Sequence, residues 1–214
     1  MGEYMKWIWI GLSLVSIIII GLFAWNQYQM THVKEPAFTV LKKDGNIQIR
    51  EYAPYLTADV TVSGDRKSAI NRGFRILAAF IFGGNTKQAS IDMTAPVIQT
   101  TNEKIAMTAP VIQQGDNNTW QVSFVMPAEY TEATLPKPNN ADIKIVSHPS
   151  RKMIVIKFTG RTTTNNIKKH QQKLLEYIAD NNIKVNSQPI YAFYNPPWVL
   201  PFFKRNEVMF QYVE

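Results

Sequence analysis

Apolar and polar positions change their rhythm three times along the chain. From Trp7 to Trp25 the sequence WIWIGLSLVSIIIIGLFAW carries no charge over nineteen residues. As a helix it rises about 28 Å, close to a hydrocarbon core of roughly 30 Å. Trp7, Trp9, Trp25 and Tyr28 stand at its ends, where amphipathic rings favour the membrane interface. The run predicts a transmembrane anchor over 7–25, followed by a juxtamembrane linker over 26–37 and a folded domain over 38–214. A cleaved signal peptide is the competing reading, but the run exceeds the usual apolar length and no A-x-A-like site follows. Lys6 precedes the span while Lys34, Lys42 and Lys43 follow it, so charge decides little about orientation. The short tail favours an inside N-terminus and a non-cytoplasmic domain on a single-pass membrane protein.

Beyond residue 45 the period becomes two. NIQIREYAPYLTADVTV, residues 46–62, sets Ile47, Ile49 and Glu51 on one face and Gln48, Arg50 and Tyr52 on the other, with Pro54 interrupting. The period then shifts to helical in DRKSAINRGFRILAAFIFGGN, where Ile70, Gly73, Phe74, Leu77 and Ile81 recur on one face. Asp65 can cap this helix, and Gly83 and Gly84 can end it, which predicts a helix over about 66–82. TWQVSFVMP, ADIKIVSH, RKMIVIKFTG, PIYAFYNPP and RNEVMFQYV read as further strands, and TNNIKKHQQKLLEYIADNN as a second amphipathic helix. Each half thus wraps strands around one helix. The implied class is α+β: a distorted antiparallel β-barrel with two flanking helices, an internal pseudo-duplication and the N-terminal transmembrane helix.

One heptapeptide, MTAPVIQ, occurs at residues 93–99 and again at 107–113. Two copies fall short of a solenoid. Ile91, Met93, Ala95 and Val97 share one face, as do Ile105, Met107, Ala109 and Val111, with turn-compatible TTNE between the copies. An antiparallel hairpin in the domain wall is the economical expectation, with Pro96 and Pro110 at edges or bulges.

Composition narrows the chemistry. The 214 residues are 45 % hydrophobic and 12 % aromatic, enough for a real core, and include no cysteine, so disulfides, thiolate metal sites and cysteine nucleophiles are excluded. The three histidines, His32, His148 and His170, lie far apart. The charge of +7 comes from scattered Lys and Arg without a nucleic-acid motif, so no nucleic-acid partner is expected. No nucleophile and base pair stands out, and the chain reads as a non-enzyme.

KIAMTAPV at 104–111 and YNPPWVLPFFKRNEV at 194–208, with IREY at 49–52, FGGN after the first helix, VSFVMP at 122–127, LPKP at 135–138 and KFTG at 157–160, resemble the SOUL haem-binding family over about 38–213. The resemblance implies binding of haem or a free porphyrin in an apolar surface pocket between the first helix and the loop before the last strand. The matching positions are Ile70, Phe74 and Leu77 on the helix and Trp198, Leu200 and Phe202 in the loop. The family's basic helix positions fall here on Asn71 and Ala79, leaving Arg72 and Arg75 nearby as cations for the propionates. Where some members carry a proposed axial histidine this chain has Glu51, so His170, on the apolar side of the second helix, is the remaining imidazole for the iron. The methionines of the repeat are expected in the wall. Glu207, entering the last strand, is expected to pair with Arg50 and fasten the ends of the sheet.

Two other functions stay open. One is a small-molecule or protein interaction module on the related gyrase-inhibitor-like scaffold, with tetrapyrrole binding lost. The other is hydrolysis, for which Glu51 or Glu207 would have to activate water. A protein partner is not identified by any motif.

Overall fold

In a computed structural model of the chain, residues 2–31, 33–87, 102–116, 118–185 and 188–213 are described. The apolar run forms α1 (Gly2–Thr31), longer at both ends than the uncharged stretch, and none of the described side chains in its Gly2–Ile19 window is buried. The chain then continues as β1 (Phe38–Asp44), β2 (Ile47–Tyr52), β3 (Tyr55–Ser63), α2 (Arg66–Ile81), β4 (Asn85–Thr86), β5 (Val111–Asp116) and β6 (Thr119–Val125). It ends with β7 (Lys137–Pro138), β8 (Lys144–His148), β9 (Arg151–Phe158), α3 (Thr164–Asp180), β10 (Lys184–Val185), β11 (Ile190–Phe193), a 3₁₀ turn (Pro201–Phe203) and β12 (Asn206–Val213).

Local chemistry sets the helix limits. The Asp65 carboxylate accepts from the Lys67 and Ser68 amides at 3.1 Å, and Thr163 Oγ1 accepts from the Asn166 amide at 3.3 Å. Gly83 leaves α2 at a φ of 115°, a conformation open to glycine, and turns the chain back. Gly73 lets α2 approach the sheet, since a Cβ there would lie 2.7 Å from Val122 Cγ2.

The main sheet runs β1-β2-β9-β12-β11-β5-β6-β3-β8, with β10 added to β12, and every pairing is antiparallel. It curls as a half-barrel, and its order carries the duplication. Matching β2, β3, α2, β5 and β6 with β8, β9, α3, β11 and β12 makes the order from β2 to β8 read alike from either end. The duplicated halves meet at β5 and β11, where Val111 faces Phe193 and Gln114 faces Ile190.

Both helices lie on one face. Leu77, Phe80 and Ile81 of α2 pack with Leu56, Val60 and Val122 in one core, while Ile167, Leu174 and Ile178 of α3 pack with Ile154, Ile156 and Val208 in a second. Strand alternation sends Tyr52, Met153, Val155, Ala192, Tyr194 and Met209 to the far face, where they form a third core. The segment expected as a linker is docked there from Val33: the Ala109 amide donates to Lys34 O at 2.8 Å and Ala53 to Ala37 O at 3.0 Å.

The repeat departs from its expected hairpin. Val111–Gln114 is paired on one side by β11 and on the other by β6, so no edge of these residues is left for the first copy. Residues 93–99, with Met93 and Pro96, lie outside the described residues. In the second copy the strand begins only after Pro110, and Met107 is 45 % exposed while Ile105 is 2 % exposed. Ile105→Ala should therefore cost about 2–5 kcal/mol, whereas Met107→Ala should stay within about 1 kcal/mol. Urea midpoints of the two variants check the order, and the reverse ranking would return Met107 to the wall.

Candidate functional site

A helix surface divides by spacing, and α2 shows three faces. Ala69, Gly73, Leu77, Phe80 and Ile81 turn to the sheet and are buried. Arg66, Ile70 and Phe74, four apart, form an inner stripe toward the groove between the two helices. Arg72, Arg75, Ile76 and Ala79 form the opposite flank. With Phe80 and Ile143 they line an open cavity of about 600 Å³ on the outer side of α2. The residues nominated from the sequence are thus split across one helix about 10 Å thick. Leu77 belongs to neither flank, because it is 0 % exposed in the first core and its side chain supports the fold instead of lining a pocket.

The inner groove is floored by β5 and β11. Phe74, 38 % exposed, meets Phe124 edge-on at 5.2 Å. Phe124 sits opposite Val111 and Val111 opposite Phe193, so one transverse row of apolar side chains runs from α2 toward α3. At the other end of the stripe Arg66 Nη2 donates to Gln113 Oε1 at 2.9 Å. Its guanidinium carbon lies 5.5 Å from the Phe193 ring, 5.9 Å from Trp120 and 6.0 Å from Tyr191. Tyr191 in turn donates to Gln171 Oε1 of α3 at 2.9 Å, which ties the groove to the second helix. This cluster escapes sequence reasoning, although Arg66 stands four residues before Ile70 on the stripe.

The PPWVLPFF loop is anchored on the α3 side. The Gly160 amide donates to Pro201 O at 2.9 Å, and Asn206 Nδ2 donates to Gly160 O at 3.0 Å. Trp198 is 67 % and Phe202 64 % exposed, Leu200 is half-buried, and Val199 is the residue the loop buries. His170 lies toward this end: its ring stacks on Phe158 at 4.1 Å. His170 Nδ1 is 2.8 Å from Asn166 O, and because a carbonyl only accepts, the contact favours the neutral tautomer with the proton on Nδ1 and the lone pair on Nε2. Phe158 lies four strands from Phe124, roughly 19 Å along the sheet. His170 and the loop therefore stand together, and Phe74 stands across the groove from them.

The far face carries a buried polar network. Arg50 donates to both oxygens of Glu207 at 3.0 Å, reaching across β9 from β2 to β12, so the expected pair forms but clasps the two strands that flank β9 and not the two ends of the sheet. Tyr194 donates to Glu207 Oε2 at 2.7 Å and Arg205 Nε to Oε1 at 2.9 Å. Arg205 also bonds Glu35 at 2.9 Å, which joins the docked segment to the network. Burial would raise the Glu207 carboxyl, but Arg50, then Arg205 and Tyr194, outweigh it and hold the group below its ordinary value. Burial and Glu207 push Tyr194 well above its own, and Tyr52 up to about 12. A carboxylate with four donors on its two oxygens has no lone pair left for water, so Glu207 is a structural anion and a poor base. Glu51, on the other side of β2, is exposed.

Comparison with known proteins agrees with this architecture. A family described as SOUL heme-binding protein matches residues 33–211. Human Heme-binding protein 2 is 31 % identical over 158 residues, 72 % of each chain, and its mouse counterpart 26 % over 166 residues, 77 % of each chain. Among solved structures, the EcmrR C-terminal domain superposes with a TM-score of 0.55 at 10 % identity, covering 78 % of this chain and 97 % of that one. An uncharacterized conserved protein from Listeria innocua gives 0.51 at 9 % identity, covering 78 % and 92 %. At such identities the structural likeness shows the fold alone. The extent of the family match and the human relative together place this chain in the SOUL heme-binding protein family.

Proposed function

We propose that the chain binds haem or a related tetrapyrrole as a membrane-anchored carrier, buffer or sensor, with the ring in the inner groove of α2. The carrying observation is Phe74, an exposed aromatic in the middle of a helix, held edge-on by Phe124 at the head of the row to Phe193. Ile70 and Phe74 would face the ring, and Trp198, Leu200 and Phe202 would close over it from the α3 side. When bound, haem would supply redox and gas-ligand chemistry or simply be carried; the chain's own part is apolar contact, charge for the propionates and exclusion of water. The outer cavity supports a second placement, since Arg72 and Arg75 stand beside the apolar wall of Ile76, Phe80 and Ile143 in a space of about 600 Å³.

Haem titration of the full chain separates the two. Phe74→Asp should abolish binding, because a carboxylate against the ring is desolvated and repels the propionates. Combined Arg72→Glu and Arg75→Glu should leave affinity within about threefold. The opposite pattern, in variants with unchanged circular dichroism, moves the ring to the outer cavity. His170→Ala tests ligation: its Nε2 lone pair suits an iron, and loss of an axial bond would shift the Soret band. An unchanged spectrum means the ring is held by contact and charge.

The anchor rests on the unburied apolar helix α1, whose Trp7, Trp9 and Trp25 are more than half exposed. The full chain should stay with membranes after carbonate extraction. Recovery in the soluble fraction, or a mature N-terminus beyond residue 24, would remove the anchor from this reading.

A further inference from the structure

Arg66 is a cation without an anion. Arg50 and Arg205 are met by Glu207 and Glu35, but among the described residues no carboxylate lies within ion-pair distance of Arg66. Asp65, its neighbour in the chain, points its carboxylate at the amides of the helix cap. Burial pushes the Arg66 guanidinium below its ordinary value, and the opposing influence comes from Tyr191, not from an acid. A second observation points to the same corner. Trp120, whose ring lies beside the guanidinium, is 8 % exposed, and its buried Nε1 has no acceptor among the described residues. The guanidinium thus lies among three aromatic rings, those of Trp120, Tyr191 and Phe193, and a neutral donor of the same cluster is unmet. An unmet buried donor is costly, so the arrangement asks for an acceptor from outside.

We propose that this corner of the inner groove is an anion subsite that takes a carboxylate carried on a flat or extended apolar body. The remaining guanidinium N–H groups donate to the two carboxylate oxygens, and the aromatic walls hold the body. A guanidinium fork matches a carboxylate in shape, and one cation balances one negative charge, whereas a phosphate dianion would stay half compensated. The subsite deepens the tetrapyrrole reading, because a propionate is one source of such a carboxylate; a free aromatic or fatty acid is the other.

The test uses the full chain in phosphatidylcholine nanodiscs, followed through the ¹⁵N-indole resonance of Trp120, assigned by its loss in Trp120→Phe. Titration with 2-naphthoate should move this resonance saturably, and the neutral isostere 2-naphthamide should not. Arg66→Gln, which keeps a polar group beside Gln113, should weaken naphthoate at least tenfold, and Arg66→Lys less. Trp120→Phe, read by displacement of a fluorescent carboxylate, should weaken it severalfold and serves if the Arg66 variants fail to fold. In parallel, haem should bind at least tenfold tighter than its dimethyl ester. Collapse of that ratio in Arg66→Gln identifies the carboxylate as a propionate. Persistence of the ratio with loss of naphthoate assigns the subsite to a free acid. Naphthoate binding without haem binding supports the subsite and removes the tetrapyrrole reading. Naphthoate binding to Arg66→Gln as to wild type, or equal response to the acid and the amide, overturns the proposal.

Discussion

Glu207→Gln is expected to destabilise the domain by about 3–5 kcal/mol, because it leaves the Arg50 guanidinium buried without a counter-charge and Arg205 beside it with Glu35 alone. Arg50 and Glu207 are 1 % and 0 % exposed, so water cannot replace the lost partner. In a domain of this size the loss lowers the melting temperature by on the order of 10 °C. Joint replacement of Arg50 and Glu207 by Met should recover part of it, since no unpaired buried charge then remains and Arg205 keeps its bond to Glu35. The same pair sets an acid limit. The folded Glu207 carboxyl titrates below its ordinary 4.5, so its contribution is complete above that value and is lost as pH falls through the lower folded one. Urea midpoints at neutral pH and under acid, for wild type and Glu207→Gln, measure both effects. A variant as stable as wild type, with an unchanged acid transition, would show that the network contributes nothing net.

Leu77→Ala should cost about 2–5 kcal/mol in unfolding free energy, as emptied core sites do. The residue is fully buried between α2 and the sheet, with Phe80 and Ile81 beside it. In the surviving folded fraction haem affinity should remain within about threefold of wild type. Phe74→Ala reverses the pattern: its ring is 38 % exposed, so stability falls less while ligand binding falls more. Measuring both quantities on both variants tells a core residue from a wall residue on the same helix. Equal losses of affinity would mean that the groove reorganises around Leu77 when it fills.

The helices were legible because their signals are local. Asp65 and the apolar faces of α2 and α3 lie within a few residues of what they control. Arg50 and Glu207 were legible as opposite charges in two strand patterns, but the place of β9 between their strands was not. β1 was invisible, because six of its seven residues are exposed and no apolar alternation marks it. The MTAPVIQ hairpin failed for another reason: the neighbours of β5 are chosen by β11, some 80 residues away, and similarity between two segments says nothing about pairing. The candidate site was legible as a helix but not as a surface. Spacing of two residues, as from Arg72 to Phe74 or Arg75 to Leu77, looks close in the sequence and points to different sides of the helix. Arg66 was overlooked because a first-turn arginine has many ordinary uses, and only the rings from β6 and β11 make it unusual.

The order of the strands has one more consequence. β2 leads into β3 yet pairs with β9, and β8 leads into β9 yet pairs with β3, so each half hands its opening strand to the other. Neither half is a closed unit. Cut near residue 140, each fragment would keep a helix and a core but present an unpaired strand and an unfilled edge of complementary register. Two copies of one fragment could satisfy each other by the same reciprocal exchange, which makes the single chain equivalent to a swapped homodimer joined end to end. The two halves are therefore free to diverge in sequence, one keeping a buried Glu207 where the other does not, without being free to separate.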